Sequence, residues 1–177
     1  AGLPVPCVVK PVDSGSSLGV EIVRDRAGLI PAIENAARSG SGVLAEDFIS
    51  GREIQISVLS GRALPSIEIR PGDGFYGYRE KYQPGAAVEL SPAPIPPEAE
   101  RELAAFAVAA YKALGLKNLA RADFILDGEG HFWFLEFNTL PGLTPTSLAP
   151  QEAAAAGMTY EELCAEIVNS AFEEDEK

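Results

Sequence analysis

Asp123, Glu136 and Asn138 are the side chains of this sequence best suited to hold a metal ion, and Arg121 stands close to them in the stretch RADFILDGEGHFWFLEFNTLPG. Their hard oxygen donors suit magnesium or manganese, and magnesium commonly takes one or two protein carboxylates and leaves the rest of its shell to water and substrate phosphates. A β-hairpin is the element that would bring them together. Two runs rich in β-branched and aromatic residues, 120–127 and 132–138, flank a short turn whose tip is Glu129 and Gly130. If Gly128 pairs with His131, Asp123 falls opposite Glu136 and Arg121 opposite Asn138, all on one face. The other face is then wholly apolar, with Ala122, Phe124, Leu126, Trp133, Leu135 and Phe137, as in a sheet with one side on a core. A half-buried hairpin also turns polar residues to solvent without any chemistry, so the hairpin alone leaves both readings open.

The chain has 177 residues, 46% of them hydrophobic, enough to bury a core in one domain or two small subdomains. A net charge of −12 argues against a nucleic-acid backbone or an anionic membrane as partner and points to small molecules. Cys7 and Cys164 are too few for a disulfide scaffold and lack C-x-x-C spacing, so reduced thiols and a cytoplasmic location are expected. There is no run of 18 apolar residues, no signal peptide and no initiator Met. The expectation is a soluble chain that is a piece of something longer.

Other stretches supply further polar groups. An apolar run over 3–9 reads as a buried strand that delivers Lys10 into the loop Asp13-Ser14-Gly15-Ser16-Ser17-Leu18-Gly19. Such a loop can turn backbone N–H groups toward a phosphate. It is not a Walker A loop, because its lysine comes first and a strand over 20–23 follows; a plain hairpin turn accounts for the same residues. Asp25 is placed to cap a helix that runs to Ser39, with Leu29, Ile33, Ala36 and Ala37 on one face and Gly40 as stop signal. Residues 43–49 read as a strand that turns polar at Glu46 and Asp47, and Ile54, Ile56 and Val58 alternate into the next. An acidic residue there could grip a ribose or an amino group, or simply mark a solvated edge.

Residues 70–96 carry Phe75, Tyr76, Tyr78, Lys81 and Tyr82 among glycines and prolines with no sustained period. A loop of that length whose aromatics need something to cover is expected to be a lid. Pro97 opens a helix in which Leu103, Phe106, Ala107, Ala110 and Leu114 share a face and Gly115 is the cap; it should pack on the apolar side of the hairpin. Two prolines and a glycine make 139–148 a structured loop beside the metal candidates. Thr159 and Glu162 form a capping box for a last helix, and an acidic solvated tail ends the chain.

Taken in order, VVKPVDSGSSLGV, LAEDFISGREIQISVL, YREKY, ARADFILD, FLEFNTLPGLTPTSL and AGMTYEEL resemble the D-alanine:D-alanine ligase branch of the ATP-grasp family, over about residues 3–172. The resemblance implies an α+β ATP-grasp fold that holds ATP between two subdomains. Residues 1–60 would be the remainder of the central, ATP-binding subdomain, and 61–177 the C-terminal subdomain, an antiparallel sheet with packed helices that includes the lid loop 70–96. By the same resemblance Lys10 binds ATP phosphates, and Gly15, Ser16 and Ser17 close over them. Glu46, Asp47, Phe48 and Ile49 hold the adenine, and Glu53 the ribose. Asp123, Glu136 and Asn138 hold two magnesium or manganese ions. Lys81 meets the γ-phosphate, and Tyr82 hydrogen-bonds Ser16 to hold the lid shut. Arg121 and Gly142 stabilise a tetrahedral oxyanion, and Ser147 and Leu148 hold the second alanine.

The implied reaction is attack of one D-alanine carboxylate on the γ-phosphate of ATP. The resulting acyl phosphate is captured by the amine of a second D-alanine, in peptidoglycan precursor synthesis for the cell wall. In-line transfer between anions needs positive charge, which the metals, Lys10, Lys81 and Arg121 supply, and a closed lid keeps water from the acyl phosphate. Tyr82 at the lid position favours the dipeptide over the D-lactate product. The resemblance also implies a homodimer for the full-length enzyme. The family's N-terminal domain, with a glutamate for the first alanine, and part of the central subdomain, with a second phosphate-binding lysine, are expected to be missing. The chain alone is therefore expected to be inactive, and the strand near 5–9 to be a free edge. The alternatives are another ATP-grasp carboxylate–amine ligase and a noncatalytic nucleotide-binding fragment.

Overall fold

The computed structural model describes residues 3–15, 17–71 and 87–172, so Ser16, Lys81, Tyr82 and the acidic tail lie outside the described residues. Two compact units are formed, Ala1–Ser50 with Pro71–Val88 and Gly51–Arg70 with Glu89–Lys177.

The first unit is a three-stranded antiparallel sheet in the order β2-β1-β3, made of β1 Cys7–Pro11, β2 Glu21–Val23 and β3 Val43–Asp47. The expected free edge near residues 5–9 is not there. β1 is the central strand, with Cys7 paired to Val23 on one side and to Asp47 on the other, so the edges belong to β2 and β3. Asp25 caps as expected, its carboxylate accepting the N–H groups of Ala27 and Gly28, but what it caps is a single 3-10 turn over Arg26–Gly28. The helix proper, α1, is Leu29–Ser39. Its buried face uses Ala32 and Ala36, with Leu29 and Ile33 packed beside them on Cys7, Val9 and Val23. Ala37 is exposed, because the i, i+3, i+4, i+7 stripe from Leu29 passes through 32, 33 and 36.

The larger sheet is made of β4 Gly51–Leu59, β5 Arg62–Ala63, β6 Ile67–Pro71, β7 Ala87–Leu90, β8 Leu119–Asp127 and β9 Phe132–Asn138, and the second unit also holds helices α2 Pro97–Ala113, α3 Leu148–Ala155 and α4 Tyr160–Phe172. The sheet runs β7-β6-β4-β8-β9, with β5 attached to β4. Strand β6 therefore reaches into the start of the stretch expected to be loop, at 70–71, and β7 lies within it at 87–90. Ile54, Ile56 and Val58 alternate as expected and pack with Leu103, Ala107 and Tyr111 of α2 and Ala122, Phe124 and Leu126 of β8. The buried stripe of α2 follows 103, 107 and 111, one residue per turn. Phe106 and Leu114, expected on that face, are 49% and 61% exposed, although the Phe106 ring still meets Phe124 edge-on at 5.6 Å. Gly115, at φ +62, ends α2 as anticipated.

A second core of Leu59, Leu64, Leu119, Ala149, Ala153 and Leu163 joins α3 and α4 to the sheet. The capping box of α4 forms in both directions: Thr159 N–H donates to Glu162 Oε2 at 2.8 Å, and Glu162 N–H to Thr159 Oγ1 at 3.2 Å. Among the described residues, no helix is long and apolar enough to cross a membrane.

Candidate metal and nucleotide site

The hairpin places the metal candidates where their pairing was expected, by a different route. Asp127 N–H donates to His131 O at 3.0 Å, so the turn holds three residues, 128–130, with Gly130 at φ +92. Phe132, Trp133 and Phe134 then face Leu126, Ile125 and Phe124; a bulge follows, and Glu136 meets Asp123 while Asn138 meets Arg121. Leu135 is the extra residue of β9. One residue added in the turn and one added in the bulge cancel at the chemical end. Between the two, the faces are exchanged. Phe132 and Phe134 stand against Phe124, with ring centroids 6.1 and 5.4 Å apart, whereas Trp133 and Leu135, expected on the core face, are 46% and 47% exposed. The Trp133 indole N–H donates to Asp127 Oδ2 at 2.8 Å. That bond, with the backbone N–H groups of His131 and Glu129, holds the Asp127 carboxyl at about 2.

On the polar face, the Arg121 guanidinium forks onto Asp123, Nε to Oδ1 at 2.8 Å and Nη2 to Oδ2 at 2.9 Å, with both side chains 11% exposed. Glu136 is exposed and Asn138 half-buried; the Asn138 Oδ1 accepts the N–H of Leu140 at 3.2 Å. The face continues onto β4, where Gln55 pairs with Asp123, Ser57 with Arg121, and Glu53 with Ile125. Among the described residues, no group of three or more His, Cys, Asp or Glu is placed to hold a metal ion. Two facing carboxylates and an amide oxygen nevertheless fit magnesium, which completes its shell with water and phosphate oxygens.

One carboxyl here had no signal in the sequence. Glu152, on α3, is fully buried and its Oε1 accepts the backbone N–H of Ser57 at 3.2 Å. Burial pushes its carboxyl up to about 8, against the opposing pull of the Ser57 hydrogen bonding and of the Arg121 charge. Among the described residues, its Oε2 and the nearby Gln55 Oε1 are buried without a hydrogen-bond partner. A lone glutamate in an alanine-rich segment reads as solvent-facing, and only the third dimension turns it inward.

The loop after β9 is tightly built. Ser147 N–H donates to Thr144 O at 2.8 Å, the Thr144 and Ser147 hydroxyls lie 2.8 Å apart, and the Tyr160 hydroxyl donates to Leu143 O at 2.6 Å. A Cβ on Gly142 would stand 2.9 Å from Ser147 Oγ, which puts the Gly142 backbone close beside the serine side chain. Leu148 buries its side chain, which leaves its backbone for any ligand.

In the first unit, Lys10 Nζ pairs with Glu46 Oε2 at 2.7 Å, on the sheet face opposite α1. Leu18 N–H donates to Gly15 O and Val20 N–H to Ser17 O, at 3.1 and 3.3 Å, so two successive turns follow Gly15, with Ser17 at φ +57 and Gly19 at φ +74. Asp47 ends β3, and Phe48 and Ile49 follow half-buried. The Arg24 guanidinium lies 5.7 Å from the centroid of the Phe48 ring, a cation–π contact involving a residue not singled out from the sequence.

Comparison with known proteins puts a family to this arrangement. The chain is 45% identical over 167 residues to the D-alanine–D-alanine ligase of Anaeromyxobacter sp. (strain Fw109-5), covering 94% of this chain and 54% of that protein. The crystal structure of D-alanine–D-alanine ligase from Bacillus anthracis superposes with a TM-score of 0.83 at 38% identity, over 95% of this chain and 55% of that one. The structure of the Bacillus anthracis enzyme complexed with ATP gives a TM-score of 0.77 at 33% identity, over 95% and 51%. The chain thus spans about half the length of the relatives it matches. Its mixed antiparallel sheets and packed helices are the C-terminal portion of the ATP-grasp fold. With residues 1–169 matching the family described as D-ala D-ala ligase C-terminus, the chain belongs to that family.

Proposed function

We propose that this chain is the ATP- and metal-binding part of a cytoplasmic, ATP-dependent ligase that joins two D-alanines through an acyl phosphate for peptidoglycan synthesis. The observation that supports it most is the cross-strand pair of Asp123 and Glu136, with Arg121 and Asn138 paired beside it, in a member of this family. Asp123, Glu136 and Asn138 would hold magnesium or manganese, which when bound neutralises phosphate charge during transfer. Lys10 exchanges its surface partner Glu46 for ATP phosphates, a cheap exchange because a half-exposed ion pair is worth little. Gly15, Ser16 and Ser17 cover those phosphates; Glu46, Asp47, Phe48 and Ile49 take the adenine and Glu53 the ribose. Lys81 and Tyr82 belong to a lid that closes on the γ-phosphate and on Ser16. Arg121 and the Gly142 backbone face the oxyanion that forms when the amine attacks, and Ser147 and Leu148 orient the second alanine. In this reading 1–60 and 61–177 are parts of the central and C-terminal subdomains, the full-length enzyme is a homodimer, and the remaining half of the protein supplies the first alanine's site.

Titration calorimetry of the 177-residue chain with Mg-ATP tests this. Binding is expected for the parent and at least about tenfold weakening for Asp123→Asn and for Glu136→Gln. Equal affinity in parent and variants would remove the metal role of the hairpin.

A further inference from the structure

Resting on the metal reading of Asp123, we propose that Glu152 is a positioning residue for Arg121: it is the second carboxyl that holds the guanidinium over the polar face when a divalent cation claims Asp123. The geometry begins with the Arg121 fork, which engages both oxygens of Asp123. A cation binding those oxygens has to share or displace a guanidinium that is itself nearly buried. A buried guanidinium deprived of its carboxylate is costly, so a second carboxyl within its reach, which gives up its proton to solvent as the guanidinium turns to it, decides how readily the exchange occurs.

Glu152 is placed for that part. Its Oε1 is anchored on the Ser57 N–H, and Ser57 is the β4 residue paired with Arg121. Its Oε2 is buried and has no partner among the described residues, and the Arg121 charge acts on the carboxyl from nearby. Such an oxygen is expensive to keep in a core, and filling that volume with an apolar side chain would remove the cost. Glu152 also lies one turn into α3, which begins at Leu148 directly after Ser147. Its anchor therefore ties the loop proposed for the second substrate to the strand that faces Arg121. The polar groups around the exchange are thus Arg121, Asp123, Glu136, Asn138, Gln55, Ser57 and Glu152.

The test is a double-mutant cycle read by Mn2+ binding alone, followed by electron paramagnetic resonance on the parent, Glu152→Gln, Arg121→Met, the double variant and Asp123→Asn. Thermal melts confirm that each is folded, and Glu152→Asp serves as a second, charge-keeping variant. If Glu152 acts through Arg121, Glu152→Gln weakens Mn2+ binding about tenfold in the parent, has no effect in the Arg121→Met background, and is partly rescued by Asp. Parent and Glu152→Gln binding Mn2+ equally overturns the inference, as does an undiminished effect of Glu152→Gln when Arg121 is absent. Mn2+ bound equally by parent and Asp123→Asn, or by neither, overturns the metal reading, and the inference falls with it.

Discussion

Replacing Glu152 by glutamine should stabilise the chain, by an amount that grows with pH. In the folded chain burial holds this carboxyl protonated up to about 8, against an ordinary value of 4.5 when unfolded. Between those limits the folded state binds a proton that the unfolded state has released, so stability is fully present below 4.5 and is lost as pH rises through 8. At 1.36 kcal/mol for each unit of pKa difference, the gap corresponds to at most about 5 kcal/mol. Any pairing of the ionised form with Arg121 reduces that figure. Glutamine keeps an acceptor for Ser57 N–H at the same reach and never ionises. The assay is urea denaturation of parent and Glu152→Gln at intervals from about pH 5 to 9, with Glu102→Gln, an exposed helical site, as control. The two curves should start close together and diverge by about 2–5 kcal/mol at the alkaline end, while the control follows the parent. Parallel curves across the whole range would mean that Glu152 is ionised when folded, and would refute the reasoning from burial.

The opposite dependence is expected at Glu68, whose buried carboxylate accepts from Arg52 at 2.8 and 2.7 Å and from Arg70 at 2.9 Å and is held at about 2, chiefly by the Arg52 hydrogen bonds. Stability from this cluster is present above 4.5 and is lost as pH falls toward 2; because both arginines reach solvent, about 1–2 kcal/mol is expected, and Glu68→Gln should flatten the acid limb of a denaturation series. Gly51→Ala would set a Cβ 2.3 Å from the backbone oxygen of Leu126, forcing β4 from β8, and should cost about 2–4 kcal/mol in urea; an unchanged midpoint would show that the strands can separate freely. The chain alone should fold yet release no phosphate from Mg-ATP in response to D-alanine, since losing the groups that orient a reactant can forfeit about 7–11 kcal/mol of barrier lowering; D-alanine-dependent release within tenfold of a full-length ligase would refute this.

Elements with a strong period or a local signal were legible. The 54, 56, 58 alternation, the Thr159 capping box and the Gly115 stop each depend on neighbours within a few residues, and each is found in place. Where several apolar residues compete for one face, periodicity marked the helix but misjudged the stripe. Leu114 of α2 and Ala37 of α1 face outward, and Phe106 meets the sheet only with one edge of its ring, against Phe124. Strand β7 was hidden within glycine- and proline-rich sequence, and the partners that make Ile67–Pro71 a strand lie in β4.

The hairpin shows a subtler limit. A two-residue turn and no bulge, or a three-residue turn and one bulge, place Glu136 opposite Asp123 equally well, because only the total offset counts at that pair. The alternatives differ in between, where Trp133 and Phe134 exchange faces, and hydrophobicity cannot choose among Phe, Trp and Leu. What chooses is shape: Phe134 and Phe132 fit around Phe124, while the indole can turn outward and donate to Asp127. Glu152 was beyond any local reading for the complementary reason. Its burial depends on a β4 N–H that a helix some 95 residues later comes to satisfy, and no window of sequence contains both partners. The residues that chemistry would use were therefore recognisable by type and pairing, whereas the carboxyl proposed to position one of them is visible only once α3 has been laid on the sheet.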